Sequence, residues 1–168
     1  RADGFNDHLA TLECLSLVPH AVIKGDSELD AQLRHAVREA FENQPLPDEP
    51  ASLAHMMQAV GQNNLGYLGM TDKPMERFAS AVVHNAVVFL PHEVCRVVSS
   101  LQRRQADSEV ASTILPWATE QLQTATTPLM LEDIARALVG VQNMSGSHPN
   151  VAALVTLLAE KFPMPGTS

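Results

Sequence analysis

The side chains of this 168-residue chain that could do chemistry are seven histidines, two cysteines and a few recurring arginines. The histidines are His8, His20, His35, His55, His84, His92 and His148. A zinc site needs ligands delivered to one helix face or loop, by spacings such as His-x-x-x-His, Cys-x-x-Cys or His-Glu-x-x-His. None of these spacings occurs, and His148, just before Pro149, reads as a helix-cap residue. A hydrolytic serine would sit in a Gly-x-Ser-x-Gly elbow. Ser145-Gly146-Ser147 is not such an elbow and reads as a helix break. No glycine-rich phosphate loop leads into Lys-Ser or Lys-Thr. Glu132 and Asp133 fall in the first turn of a predicted helix, where carboxylates complement the positive end of its dipole. The sequence therefore predicts no catalytic residue, no metal site, no cofactor and no small-molecule substrate.

One polar constellation recurs in register. His55, Arg96 and Arg136 are separated by steps of 41 and 40 residues. One to two helical turns further on come Gln58 and Gln62, then Ser99 and Arg103, then Asn143. Residues at i, i+3 and i+7 share one face of a helix, so these side chains form a strip. Arg104 adds charge beside it. Guanidinium groups offer planar paired donors that suit carboxylates and phosphates. The plainest reading is a solvated helix face, followed by contact with an acidic protein surface and then by direct contact with RNA. The acidic second helix, with Glu28, Asp30, Glu39 and Glu42, reads as a solvated face, with a basic partner as the alternative.

The strip needs helices that repeat, and the sequence supplies them. Three segments align without gaps, beginning at Ala51, His92 and Glu132. Apolar residues recur in them at Leu53/Val94/Ile134, Met57/Val98/Leu138 and Val60/Leu101/Val141. A fixed period near 40 residues is the mark of stacked helical hairpins, each an A helix followed by a B helix. The B helices show inward residues stepping by four, three and four: Leu29/Leu33/Ala36/Ala40, Met75/Ala79/Val82/Ala86, Val110/Ile114/Trp117/Gln121 and Val151/Val155/Leu158/Phe162. Eight helices are predicted. The first covers roughly 5–18, and the second starts at Asp26-Ser27. Asp48 caps the third, Pro74 opens the fourth, and the fifth runs from Pro91 to about Gln105. Asp107-Ser108 caps the sixth, Thr127-Pro128 opens the seventh and Pro149 opens the eighth. The Val-rich run 81–90 is read as helix from its place in the alternation, although its β-branched residues favour strands. Pro116 falls inside the sixth helix and predicts a bend or a division into two pieces. The expectation is an all-α, right-handed, α-solenoid-like stack of about four hairpins in one domain over residues 1–168. Its repeats cover roughly 1–44, 45–90, 91–127 and 128–163.

Composition narrows the choice of partner. Apolar residues make up 45 % of the chain and aromatics only 4 %, so small and aliphatic side chains pack the core and few rings are available to stack on bases. The net charge is −8, concentrated at the start: residues 1–50 hold ten acids and four bases, and the other 118 hold nine and seven. Such a chain is not drawn to nucleic acid by its overall field, so RNA contact would need a local basic strip. Cys14 and Cys95 fall on apolar helix faces and read as buried thiols, which favours a reducing compartment. No apolar run is long enough to predict a membrane span. The chain starts at Arg1, as a processed product or a fragment would.

The stretch from Phe89 through Leu101, followed by Leu131-Glu132-Asp133-Ile134-Ala135-Arg136-Ala137-Leu138, resembles the repeats of organellar RNA-metabolism proteins. The nearest are FAST-kinase/RAP-type and heptatricopeptide or octotricopeptide-like proteins, with HEAT-like scaffolds second. The resemblance covers about half the chain and rests on a degenerate motif. It implies a mitochondrial, non-enzymatic scaffold in an RNA-processing or ribosome-associated complex, with protein partners and possibly RNA bound along the A-helix strip. The competing class is a small all-α enzyme domain, which would need a clustered polar pocket.

Overall fold

The computed structural model describes residues 27–43, 45–62 and 72–163, which form seven helices and no strand. These are α1 (Ser27–Asn43), α2 (Pro50–Gln62), α3 (Lys73–Val83), α4 (Pro91–Ser99), α5 (Glu109–Thr124), α6 (Leu131–Val141) and α7 (Pro149–Glu160). The helix expected over roughly 5–18, with Cys14, lies outside the described residues.

Prolines and caps set the helix starts. Pro50, Pro91 and Pro149 each open a helix, where their missing N–H costs no hydrogen bond. Ser108 caps α5 by accepting a hydrogen bond from the Ala111 N–H at 3.2 Å, and His148 Nδ1 accepts from the Asn150 N–H at the start of α7. At α2 the first helical bond goes to the carbonyl of Glu49, so Glu49 rather than Asp48 holds the cap position. The helix expected from Thr127-Pro128 begins later, at Leu131, after an extended Met130.

The helices pack by parity. The A helices α2, α4 and α6 form one run, with α4 against both α2 and α6. The B helices form another, α3 against α1 and α5, and α5 against α7. Leu53, Met57, Val94, Val98, Leu101, Ile114, Leu115 and Leu122 are fully buried in one shared core. The Phe89 and Trp117 rings meet edge to face at 5.2 Å between the linker into α4 and α5.

Other expectations need correction. The Val-rich run is helical only as far as Val83. Asn85 ends it by folding locally: its Oδ1 accepts from the Val87 N–H at 2.8 Å while its Nδ2 donates to the Asp48 carbonyl at 3.0 Å. Ala86, expected inside, is exposed. The helix expected to reach Gln105 ends at Ser99 and continues as tight turns, with Ser100, Leu101 and Arg104 each donating to the carbonyl three residues back. Pro116 does not divide α5, because Pro116 and Ser112, the residue whose carbonyl loses its partner, both face solvent. In α7, Leu154 is buried while Val155 and Phe162 are exposed, so the inward spacing there is three then four. Ala36 of α1 is also exposed.

The A helices come very close. A methyl group on Gly61 would lie 2.2 Å from the Ser100 carbonyl oxygen, and one on Gly140 would lie 2.1 Å from that of Val98. Neither site has space for a side chain, because the obstacle is backbone. Gly61→Ala and Gly140→Ala should each destabilise the protein by about 1–3 kcal/mol, read from the urea midpoint. Gly146→Ala, with nothing within 4 Å, should leave the midpoint unchanged.

Candidate interaction face

The A-helix strip is built from three parallel positions. Arg96 on α4 reaches back one repeat, its Nη1 donating to His55 Nδ1 on α2 at 2.9 Å across 41 residues. Two more bonds have the same separation. Arg103 Nε donates to the Gln62 carbonyl at 3.1 Å, and Asn143 Nδ2 donates to the Gln102 carbonyl at 3.0 Å. Both accepting carbonyls lie at or just beyond the end of the preceding A helix, where backbone acceptors lack helical partners. An arginine there also suits the negative end of the helix dipole. Side chains expected to face a partner therefore also join one repeat to the next.

Arg136 behaves differently from Arg96. Its Nη2 donates to Glu132 at 2.9 Å and its Nη1 to Asp133 at 3.4 Å, along its own helix. The cause is in the sequence, since the position of Glu132 holds His92 in α4 and Ala51 in α2, and only α6 offers an acid four residues back. Arg104 turns off the strip into an ion pair with Asp72 and is largely covered, with its Nε lacking a hydrogen-bond partner. Gln58 is half-buried; His55, Gln62, Arg103 and Asn143 are exposed. Ser99 is a correction: it is fully buried and its hydroxyl donates to the Arg96 carbonyl at 2.6 Å, because α6 covers that side of α4.

Two acids matter more than the sequence suggested. Glu93 and Asp133 are buried at the same position of α4 and α6. Their carboxylates accept from the N–H groups of Leu90 at 2.7 Å and Met130 at 3.4 Å, closing the first turns. The acid three residues inside each start was the readable signal, but the burial was not. Asp133 also faces Cys95. Burial first, then the Asp133 carboxylate, push the Cys95 thiol up from 9.0 to about 12, while the Arg136 charge pulls the other way.

Among the described residues no three His, Cys, Asp or Glu side chains converge as metal ligands, and no helix is long and apolar enough to cross a membrane. One cleft lies between the linker into α4 and α5, beside Asn85, Val87, Val88, Trp117 and Glu120. Glu120 is its only ionisable side chain, so the cleft lacks the paired groups that acid–base or nucleophilic catalysis requires. Compared with known protein families, curated proteins and solved structures, the chain matches none.

The raised Cys95 pKa has two consequences. Cys95 should stay unlabelled by maleimide in the native protein at pH 8, as read by peptide mass spectrometry, and react once the chain is unfolded. Because its folded pKa lies above its unfolded one, its contribution to stability is fully present below pH 9.0 and disappears as pH rises towards about 12.

Proposed function

We propose that this chain is a non-catalytic helical-repeat scaffold, a right-handed, solenoid-like stack of helix pairs that holds protein partners in a multi-subunit complex along its A helices. The observation that carries this reading is the set of three hydrogen bonds, each spanning 41 residues, that tie each A helix to the next. Such ties set equivalent positions of successive repeats side by side on one face, which is the use repeat proteins make of their architecture. The resemblance to organellar repeat proteins supports a mitochondrial RNA-processing or ribosome-associated setting.

Charge favours protein over RNA as the partner. The chain carries −8, and the arginines of the strip are engaged: Arg96 with His55, Arg103 with a carbonyl, and Arg136 with two carboxylates. Direct RNA binding is the second reading, favoured by the exposure of Arg103 beside Gln62 and Asn143.

The triple variant Arg96→Ala/Arg103→Ala/Arg136→Ala separates these readings. Affinity purification from mitochondrial extract with quantitative mass spectrometry should show specific partners lost by about tenfold or more, with far-UV dichroism retained. An unchanged partner set would contradict the strip as the contact face. RNA affinity that falls steeply with the logarithm of salt concentration in the parent, and is lost in the variant, would favour the RNA reading.

A further inference from the structure

A groove follows the seam between α3 and α5, on the B helices rather than on the A helices that carry the arginine strip. One end is the cleft of about 490 Å³ beside Val87, Val88, Pro116 and Trp117. It runs past Thr113 into a second cleft of about 230 Å³, lined by Glu76, Ser80, His84 and Glu109 among others. On α5, Glu109, Thr113, Pro116 and Glu120 follow one another by steps of four, three and four residues, so one helix face supplies a whole wall. That wall advances about 16 Å, the length of roughly five residues of extended chain. At the apolar end the opposite wall is the linker into α4. Val87 and Val88 are 55 % and 77 % exposed there, and the Val88 N–H and carbonyl make no backbone hydrogen bond among the described residues.

We infer that this groove binds an extended basic segment of a partner protein, in which lysine or arginine alternates with small aliphatic residues. Charge selects this occupant. The ionisable side chains lining the two clefts are Glu76, His84, Glu109 and Glu120, with no lysine or arginine among them. Arg77, next to Glu76 in α3, turns instead towards α1 and donates to the Phe41 carbonyl at 2.7 Å, and Lys73 lines neither cleft. The three carboxylates make no hydrogen bond or ion pair among the described residues, whereas Glu132 and Asp133 are paired with Arg136 and Asp72 with Arg104. His84 Nδ1 donates to the Ser80 carbonyl at 2.9 Å, which leaves Nε2 of the neutral ring as a further acceptor. The polar end of the groove thus presents acceptors for cationic donors. At the other end Trp117 and Val88 offer apolar surface to aliphatic side chains and lysine stems, and the Val88 backbone groups offer the main-chain pairing that extended peptides use. The chain's own remaining segments lack the complementary charge: residues 1–26 hold four acids and two bases, and residues 63–71 and 164–168 hold no charged side chain. A second copy, at −8, is disfavoured in the same way. The inference does not depend on what the arginine strip binds.

Trp117 is the only tryptophan of the chain, so its emission reports on the groove. The probe is an acetylated, amidated heptapeptide of alternating lysine and valine that begins and ends with lysine. Titrated into the full 168-residue chain, it should shift or quench the Trp117 emission with a dissociation constant in the micromolar range. Glu109→Lys/Glu120→Lys should weaken binding about tenfold or more with far-UV dichroism retained, since both side chains are exposed. Glu28→Lys/Glu160→Lys, the same change of charge at exposed sites on α1 and α7 outside the groove, should weaken it less than about threefold. Val88→Ser, which leaves the charge unchanged, should weaken it about threefold or more. Trp117 emission that does not respond to the peptide up to about 1 mM would overturn the proposal. So would equal binding of the same heptapeptide with glutamate in place of lysine, a loss as large in the Glu28→Lys/Glu160→Lys control as in the groove variant, or a Val88→Ser chain that binds as tightly as the parent.

Discussion

The close approach of the A-helix backbones is the constraint on which the other contacts depend. At Gly61 and Gly140 an added Cβ would overlap a carbonyl of α4, so the three helices cannot pack at this distance with larger residues there. Tight packing brings the end of one A helix within reach of polar side chains from the next. Arg103 and Asn143 can then satisfy carbonyls one repeat back, and Arg96 can reach His55. The B helices, joined to the A helices by short linkers, follow the same progression and seal the core through Ile114, Leu115 and Leu122.

This arrangement ties the architecture to the proposed function. A polar strip whose members also bridge repeats is held in shape before any partner arrives, which lowers the ordering cost of binding. It also leaves fewer free donors than a count of arginines implies. Arg104 and Arg136 are neutralised by neighbouring acids, which lowers the positive potential available to a phosphate backbone. The acid pair at Glu132 and Asp133 thus serves the helix start and tempers the strip.

Much of the all-helical character was legible because the apolar spacing is strongly periodic and the starts carry Pro, Ser or His caps, as at Pro91, Ser108 and Pro149. What was not legible depended on contacts between distant residues. The end of α3 turns on Asn85, whose amide reaches Asp48, 37 residues back, and pulls the chain out of its helix. The burial of Ser99 follows from α6 lying across it, and the exposure of Val155 and Phe162 from the absence of a described helix beyond α7. The register of His55, Arg96 and Arg136 was readable, but the different pairing of Arg136 required weighing the residue four positions back.

The central claim is that successive A helices advance side by side in an open run rather than closing into a bundle. Pulsed and continuous-wave electron paramagnetic resonance would test it most directly, with spin labels at pairs of Ala51→Cys, His92→Cys and Glu132→Cys, three exposed and equivalent positions. The account predicts equal separations of about 10 Å for the two neighbouring pairs and about twice that for the outer pair, as adjacent helix axes lie 8–10 Å apart. An outer pair no farther apart than its neighbours would contradict it.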